Sequence, residues 1–286
     1  TVGLRGLDGV LPLGEEYRWA IDIEICVFPE EGMIDLPGTE ALILEALKRG
    51  CKLVGAAPEA DRDPRAQIDR IFEIARDHDV DIDMHLDFGR RAQQLLGEYV
   101  CDNAAAFGYG GRLAVAHLTK LSTVPPARFR EVCRRMAEAG VAATVLPSTD
   151  LYLMARTQDY NVIRGVLPVH RLLEEGVGAA LATNNVLNPM TPFGDGSPTR
   201  IMCLYANIAQ LWRHADFATC YDLMTVHPAK IMGIPDYGIG IGAPADFAIY
   251  DVPDRAHAVM EIAPPVAAYK RGRMTFRREA PALLRP

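Results

Sequence analysis

The chain of 286 residues lacks the features that mark membrane, secreted or nucleic-acid-binding proteins. No stretch approaches the roughly 18 consecutive apolar residues of a membrane helix, and the first residues lack the apolar segment of a signal peptide. The formal net charge is −7 and the basic residues are scattered, so a surface that binds phosphate backbones is not expected. The sequence therefore predicts a small-molecule partner, with no membrane and no nucleic acid involved.

The six cysteines form no C-x-x-C pair and lie far apart, several of them inside apolar segments. This pattern predicts reduced, buried thiols and a cytoplasmic protein. The glycine-rich segments 108–111 and 238–242 also lack the strand-to-helix context of a dinucleotide-binding loop.

A predicted strand followed by a predicted helix recurs about every 30 residues. The strands are expected at 21–28, 52–57, 82–86, 113–116, 141–146 and 178–182. The helices are expected at 2–18, 39–49 (with Thr39 as N-cap), 63–78, 90–107, 125–139, 169–175, 197–212 and 217–225. This alternation predicts right-handed crossovers and a parallel sheet. The alternating segments 239–250 and 266–276 predict a small accessory sheet near the C-terminus.

Polar residues gather where the predicted strands end, namely Glu30, Glu59, His85, His117, Asp150 and Asn184. A doubly wound sheet concentrates its site at one switch point, whereas a barrel draws residues from the ends of many strands. The fold class predicted is an α/β (β/α)₈ TIM-type barrel at 1–235, with accessory β strands at 236–286. A closed barrel needs eight strands and six are found, so two are expected to come before Thr1.

Six segments along nearly the whole chain carry recognisable motifs, at 23–32, 83–87, 116–119, 146–156, 184–189 and 236–246. In this order and spacing they resemble the amidohydrolase superfamily and within it the cytosine deaminase branch. The family has a (β/α)₈ barrel with one divalent metal, zinc or iron, that activates water for attack on a carbon bonded to nitrogen. The resemblance implies His85 as a metal ligand and His117 as a catalytic histidine.

The family's first strand carries a His-x-His pair of ligands, and this chain contains no such pair. We therefore expect an N-terminal segment or a second chain to supply the remaining barrel strands. Glu30 aligns with the family's substrate-reading glutamine, and Asn185 and Met190 are also expected to contact substrate. A homo-oligomer is expected as well.

Two residues depart from the family's chemistry. Phe88 stands where the deaminases have a proton-shuttling glutamate, and a phenyl ring cannot move protons. Asn184 stands where they have a metal-binding aspartate, and a neutral amide is a poor zinc ligand. Asp87 and Asp150 could replace the lost carboxylates as catalytic groups, although aspartate at a loop start is often a turn or cap residue. Phe88 is expected to form an apolar wall against substrate or to fill the core.

The function predicted is hydrolysis of a C–N bond, by deamination or by opening a cyclic amide or urea, in a small heterocyclic compound. One alternative is a non-catalytic descendant that binds a ligand or serves as a subunit of a larger hydrolase complex. Another is a metal-free enzyme that uses Asp87 or Asp150 as a general base on water. The remaining histidines are expected to be structural or exposed to solvent, namely His78, His170, His214, His227 and His257.

Overall fold

The chain forms a parallel six-stranded sheet with helices between its strands, followed by a small antiparallel sheet. A computed structural model describes residues 2–279, 281–282 and 284. The strands are β1 (Cys26–Val27), β2 (Leu53–Ala56), β3 (Asp81–Leu86), β4 (Leu113–His117), β5 (Val141–Val145), β6 (Ala179–Leu181), β7 (Phe247–Tyr250), β8 (Pro265–Lys270) and β9 (Arg273–Arg277). The helices are α1 (Arg5–Glu16), α2 (Thr39–Lys48), α3 (Pro64–His78), α4 (Leu96–Phe107), α5 (Pro126–Ala139), α6 (Pro147–Leu153), α7 (Val169–Glu174), α8 (Pro198–Ala209), α9 (His214–Asp222), α10 (Val226–Ile231) and α11 (Arg255–Met260).

The large sheet follows chain order, from β1 to β6, and every neighbouring pair is parallel. Between consecutive strands the chain crosses over through helices, which is the connection that parallel pairing requires. All six predicted barrel strands are present, and their carboxyl ends lie along one edge of the sheet.

The alternating sequence of β3 explains how the strand separates core from site. Ile82, Met84 and Leu86 are almost fully buried and belong to the apolar core. Because successive side chains of a strand point to opposite faces, Asp83 and His85 lie on the other face. The hydrophobic alternation therefore fixes the face on which His85 is presented.

Helix α3 shows how the outer layer is held on the sheet. Asp63 caps its first turn by accepting a hydrogen bond from the Ala66 N–H at 3.1 Å. Its apolar stripe, Ile68, Ile71 and Phe72, is fully buried, and each such side chain contributes roughly 1.5–3 kcal/mol through removal from water.

The small sheet has the order β7-β8-β9 with antiparallel pairing. The predicted strand that began at residue 239 is wrong, because only Phe247–Tyr250 pairs, while Ile239 and Ile241 in the preceding glycine-rich segment are fully exposed. Helix α11, between β7 and β8, was not predicted, and Asp254 caps it by accepting from the Ala256 and His257 N–H groups. The boundary between 1–235 and 236–286 stays a prediction, and residues 280, 283, 285 and 286 lie outside the described residues.

Other boundaries differ from the sequence prediction for local reasons. The first strand is two residues long, because residues 21–24 are exposed and β1 pairs only with β2 among the described residues. Thr39 is not an N-cap: Gly38, with φ of 91°, occupies that position and Thr39 is the first residue of α2. The helix predicted over 217–225 is instead α9 and α10, since Pro228 lacks the N–H that a continuous helix would use.

All six cysteines carry free thiols. No helix within residues 2–279, 281–282 and 284 is both long and apolar enough to cross a bilayer.

Candidate active site

A cavity of about 410 Å³ opens at the carboxyl edge of the large sheet. Its lining residues are Glu30, Ala57, Glu59, Ala60, His85, Phe88, His117, Thr149, Leu153, Asn184, Asn185, Asn188 and Met190. Seven of the nine predicted site residues are among them; the two that are not, Asp87 and Asp150, lie behind the cavity wall. Residues from segments far apart in sequence meet here because parallel strands end at the same edge.

The centre of the site is a chain of three side chains: His85 on β3, His117 at the end of β4, and Asp150 in the first turn of α6, which follows β5. The His117 Nδ1 atom lies 2.6 Å from Asp150 Oδ1, and His117 Nε2 lies 3.2 Å from His85 Nδ1. Asp150 is fully buried, and its second carboxylate oxygen accepts a hydrogen bond from the Leu146 N–H at 3.3 Å. The pairing of β3 with β4 sets Leu86 beside His117 and so brings the two histidines together.

The charge states follow from burial. Burial, together with the neighbouring His117, lowers the pKa of His85 to about 3, so the imidazole of His85 is neutral. Burial raises the pKa of Asp150, while the hydrogen bond from His117 acts in the opposite direction. When Asp150 is ionised it accepts the proton on His117 Nδ1, and the lone pair of His117 is then on Nε2, the nitrogen that lies next to His85 Nδ1 at the cavity wall.

Aromatic rings enclose the two imidazoles. The Phe28 ring centroid lies 4.6 Å from that of His85, and the Phe88 ring meets the His117 ring edge-on at 5.3 Å. Phe88 is half-buried and lines the cavity, so it forms an apolar wall rather than filling the core. Such walls exclude water and strengthen electrostatic interactions within the site.

Asp87 has a structural environment. Its buried carboxylate accepts hydrogen bonds from the Leu96 and Gly97 N–H groups at 3.0 and 2.8 Å. These bonds satisfy the first turn of α4, which explains why that helix begins at Leu96 and not at Arg90, the start predicted from the sequence. Lys120 adds a contact at 3.3 Å from its Nζ to Asp87 Oδ1. The geometry thus favours the cap-residue alternative for Asp87.

Glu59 was missed as a site residue, although it follows β2 directly. Its carboxylate lines the cavity, forms an ion pair with Lys120, and accepts a hydrogen bond from the Phe88 N–H at 3.1 Å. The sequence signal was its place at a strand end, which it shares with the predicted residues. Glu59 therefore fixes the backbone that carries the Phe88 wall.

The amide side of the cavity comes from the loop after β6. Asn188 donates from Nδ2 to the Asn185 oxygen at 2.6 Å, which fixes the orientation of Asn185. Asn184 lines the same wall with a left-handed backbone, at φ of 63°. Asp87 and His117 adopt similar positive φ values of 55° and 72°. Each left-handed non-glycine residue costs of order 1–3 kcal/mol, and such strain clusters at functional sites.

The donors at this cavity do not complete a metal site. A catalytic zinc takes three protein ligands. Here the metal-binding side chains that approach each other are His85 and His117, and Asn184 offers only a neutral amide. Within the described part of the chain, no three His, Cys, Asp or Glu side chains at this cavity bring one ligand atom each within 4.8 Å of one another.

Comparisons with known proteins agree with this architecture. A profile of the amidohydrolase family matches residues 13–281. The chain is 27% identical over 285 residues to N-isopropylammelide isopropyl amidohydrolase of Pseudomonas sp. strain ADP, covering 96% of this chain and 66% of that protein. It is 27% identical over 228 residues to pterin deaminase of Rhizobium rhizogenes, covering 79% and 52%.

A solved structure shares the fold. The crystal structure of 5-methylcytosine deaminase from Klebsiella pneumoniae with phosphonocytosine superposes with a TM-score of 0.93 at 23% identity, covering 99% of this chain and 70% of that one. The chain thus spans between about half and two-thirds of the length of the curated relatives it matches.

Proposed function

The chain belongs to the amidohydrolase family, and from this premise we propose that it serves a hydrolase that cleaves an exocyclic C–N bond of a nitrogen heterocycle. The observation that carries the proposal is the buried Asp150–His117 pair, whose imidazole lines a cavity walled by Phe88. The relatives act, by their names, on N-isopropylammelide and on pterin, and favour hydrolysis over a non-catalytic binding role.

The proton path follows from the geometry of the pair. His117 Nε2 takes a proton from water as the water oxygen bonds to the ring carbon, and Asp150 stabilises the imidazolium that forms. The same Nε2 then gives the proton to the leaving nitrogen as the C–N bond breaks. Carbonyl product and amine or ammonia result, and His117 returns to its starting state. His117 therefore performs the proton transfer that Phe88 cannot.

Members of the amidohydrolase family generally use a divalent metal. The donors described here fall short of a complete metal site, so no step above passes through an ion. His85 is the residue through which this chain would contribute a ligand to a zinc or iron centre, since its imidazole is neutral and borders the cavity. Elemental analysis of the intact protein beside His85→Ala tests this contribution.

The charged rim of the cavity predicts which substrates bind. Glu30 lines the cavity as an exposed carboxylate, and Glu59 and three asparagines add only acidic or neutral groups. Lys120 is paired with Glu59 and Asp87, and the described residues that line the cavity include no lysine or arginine to bind an anionic substrate. The substrate is therefore a neutral or cationic ring that presents N–H donors.

Replacing Glu30 by glutamine should raise KM for amino-substituted rings by about 10- to 100-fold, since a hydrogen bond to a charged acceptor contributes roughly 1.5–3 kcal/mol. The value of kcat should change little, because Glu30 is not part of the proton path. Steady-state kinetics of Glu30→Gln measures both constants. The neighbouring Glu31→Gln is the matched control, since Glu31 is exposed and absent from the cavity lining. Equal KM values for Glu30→Gln and Glu31→Gln would show that Glu30 does not contact the substrate.

The activity itself is tested with the intact protein and a panel of aminopyrimidines, pterins and amino- or alkylamino-triazines. Release of ammonia or amine is measured by a coupled assay, and ring products by mass spectrometry. We expect turnover of at least one ring that carries an exocyclic amino group. If the folded protein released neither ammonia nor amine from any of these compounds, the proposal would be contradicted.

The free thiols support a reducing, cytoplasmic location as a further proposal. The homo-oligomer and the source of the remaining barrel strands stay predictions from the sequence.

A further inference from the structure

A second group of metal-binding side chains lies outside the cavity, at the contact between α9 and α11. His214 is the first residue of α9, Asp254 caps α11, and His257 lies in the first turn of α11. One ligand atom from each residue lies within 4.8 Å of the other two. Three residues separated by up to 43 positions in sequence thus meet at one point of the surface.

The distances suit a coordinated ion. Asp254 Oδ2 lies 3.1 Å from His214 Nε2, and Asp254 Oδ1 lies 3.0 Å from His257 Nδ1. Two donors on one tetrahedral zinc, each about 2.0–2.2 Å from the metal, lie about 3.3 Å apart. The observed separations, one to each oxygen of Asp254, are close to this spacing, so rotations of the carboxylate and of the two rings bring one donor from each residue onto one ion.

The charges around the group also suit a cation. Asp254 supplies a carboxylate to the group, and both of its oxygens lie next to a ring nitrogen of a histidine. The neighbouring cations are already neutralised, since Arg255 pairs with Asp222 and Arg213 with Asp216. His214 and Asp254 are exposed and His257 is partly exposed, which leaves room for water on the remaining coordination positions.

We propose that His214, Asp254 and His257 form a surface site for a divalent transition metal of the zinc class. Two imidazoles and one carboxylate are a donor set that zinc and cobalt accept. Because α11 lies between β7 and β8, an ion here fastens the small sheet to α9 and hence to the helices around the large sheet. The site is separate from the cavity and its role is to stabilise the fold.

Titration with Co²⁺ tests the site, because cobalt in a nitrogen and oxygen site absorbs visible light. The intact protein is titrated in a His85→Ala background, so that binding at the cavity does not contribute. We expect one Co²⁺ per chain, displaced by Zn²⁺, and a rise in melting temperature with added Zn²⁺. No binding in this background would overturn the proposal.

Single substitutions then locate the ion. His257→Ala and Asp254→Asn should each weaken binding by at least about tenfold, since even supporting residues of metal sites contribute 10- to 100-fold. Asp254→Asn keeps a good helix cap and therefore the fold. His78→Ala, at an exposed histidine elsewhere, is the control and should bind as the background does. Unchanged binding in Asp254→Asn would also overturn the proposal, whatever the enzymatic activity proves to be.

Discussion

Replacing Asp150 by asparagine should lower kcat by about 10²- to 10⁴-fold, the range that a positioned acid–base group contributes. Asparagine preserves the shape of the side chain but can donate a hydrogen bond to His117 Nδ1, which places the ring proton on Nε2. His117 would then face the cavity as a donor and could not accept a proton from water. The KM should stay within about threefold, because Asp150 does not line the cavity.

A double-mutant cycle distinguishes a role of Asp150 in positioning His117 from a role in the stability of the fold alone. If Asp150 acts through His117, adding Asp150→Asn to His117→Asn should cost almost nothing further in kcat. Asp77→Asn, on the exposed face of α3, is the matched control and should leave kcat unchanged. Additive losses in the double variant would mean that Asp150 supports the fold and not the proton transfer.

Replacing Asp61 by alanine should lower the free energy of unfolding by about 3–4 kcal/mol, because several donors lose a charged acceptor. The buried Asp61 carboxylate accepts from the Met33, Ile34 and Asp35 N–H groups at 2.9–3.0 Å, and from the Gln67 amide. A β-carbon on Gly32 would lie 2.6 Å from Asp61 Oδ1, so the loop that carries Glu30 is packed directly on this carboxylate.

Asp61 also makes stability depend on pH. Burial acts to raise its pKa, but the three N–H groups and Gln67 outweigh burial and the pKa is lowered. The stabilisation is therefore complete above the unfolded-state pKa of about 3.9, and is lost as pH falls through the lower folded-state pKa. The free energy of unfolding, measured with urea between pH 2 and 7, should depend less on acid in Asp61→Ala than in the wild type.

The control variant is Asp63→Ala, which removes an exposed helix cap and should lower the free energy of unfolding by only about 1 kcal/mol. Equal losses for the two variants would contradict this account.

The strands and the family could be predicted from the sequence because their signals are local. The alternation of strands and helices about every 30 residues predicted the six parallel strands, and the order of motifs along the chain predicted the amidohydrolase family; both predictions are confirmed. The start of α4 was wrong because it depends on Asp87, which reaches the Leu96 N–H nine residues later. The spacing of apolar residues along the sequence gives no information about that contact.

The site could be predicted only in part, for a related reason. Strand ends identified the residues that line the cavity, but their catalytic roles stay predictions. The Asp150–His117 contact joins residues 33 positions apart and depends on the register of two strands and on the first turn of α6. In the sequence, Asp87 and Asp150 are both aspartates that follow a predicted strand, so their roles could not be told apart. Only the three-dimensional contacts show that Asp87 caps a helix and that Asp150 is the partner of His117.

The role of His117 in proton transfer is tested by turnover of His117→Asn, measured beside the wild type on the best substrate of the panel. Asparagine at this position can hydrogen-bond but cannot accept and return a proton near neutral pH. We expect a loss in kcat of at least about 100-fold with KM nearly unchanged. A kcat equal to that of the wild type, in a variant with unaltered circular dichroism, would contradict the assignment of proton transfer to His117.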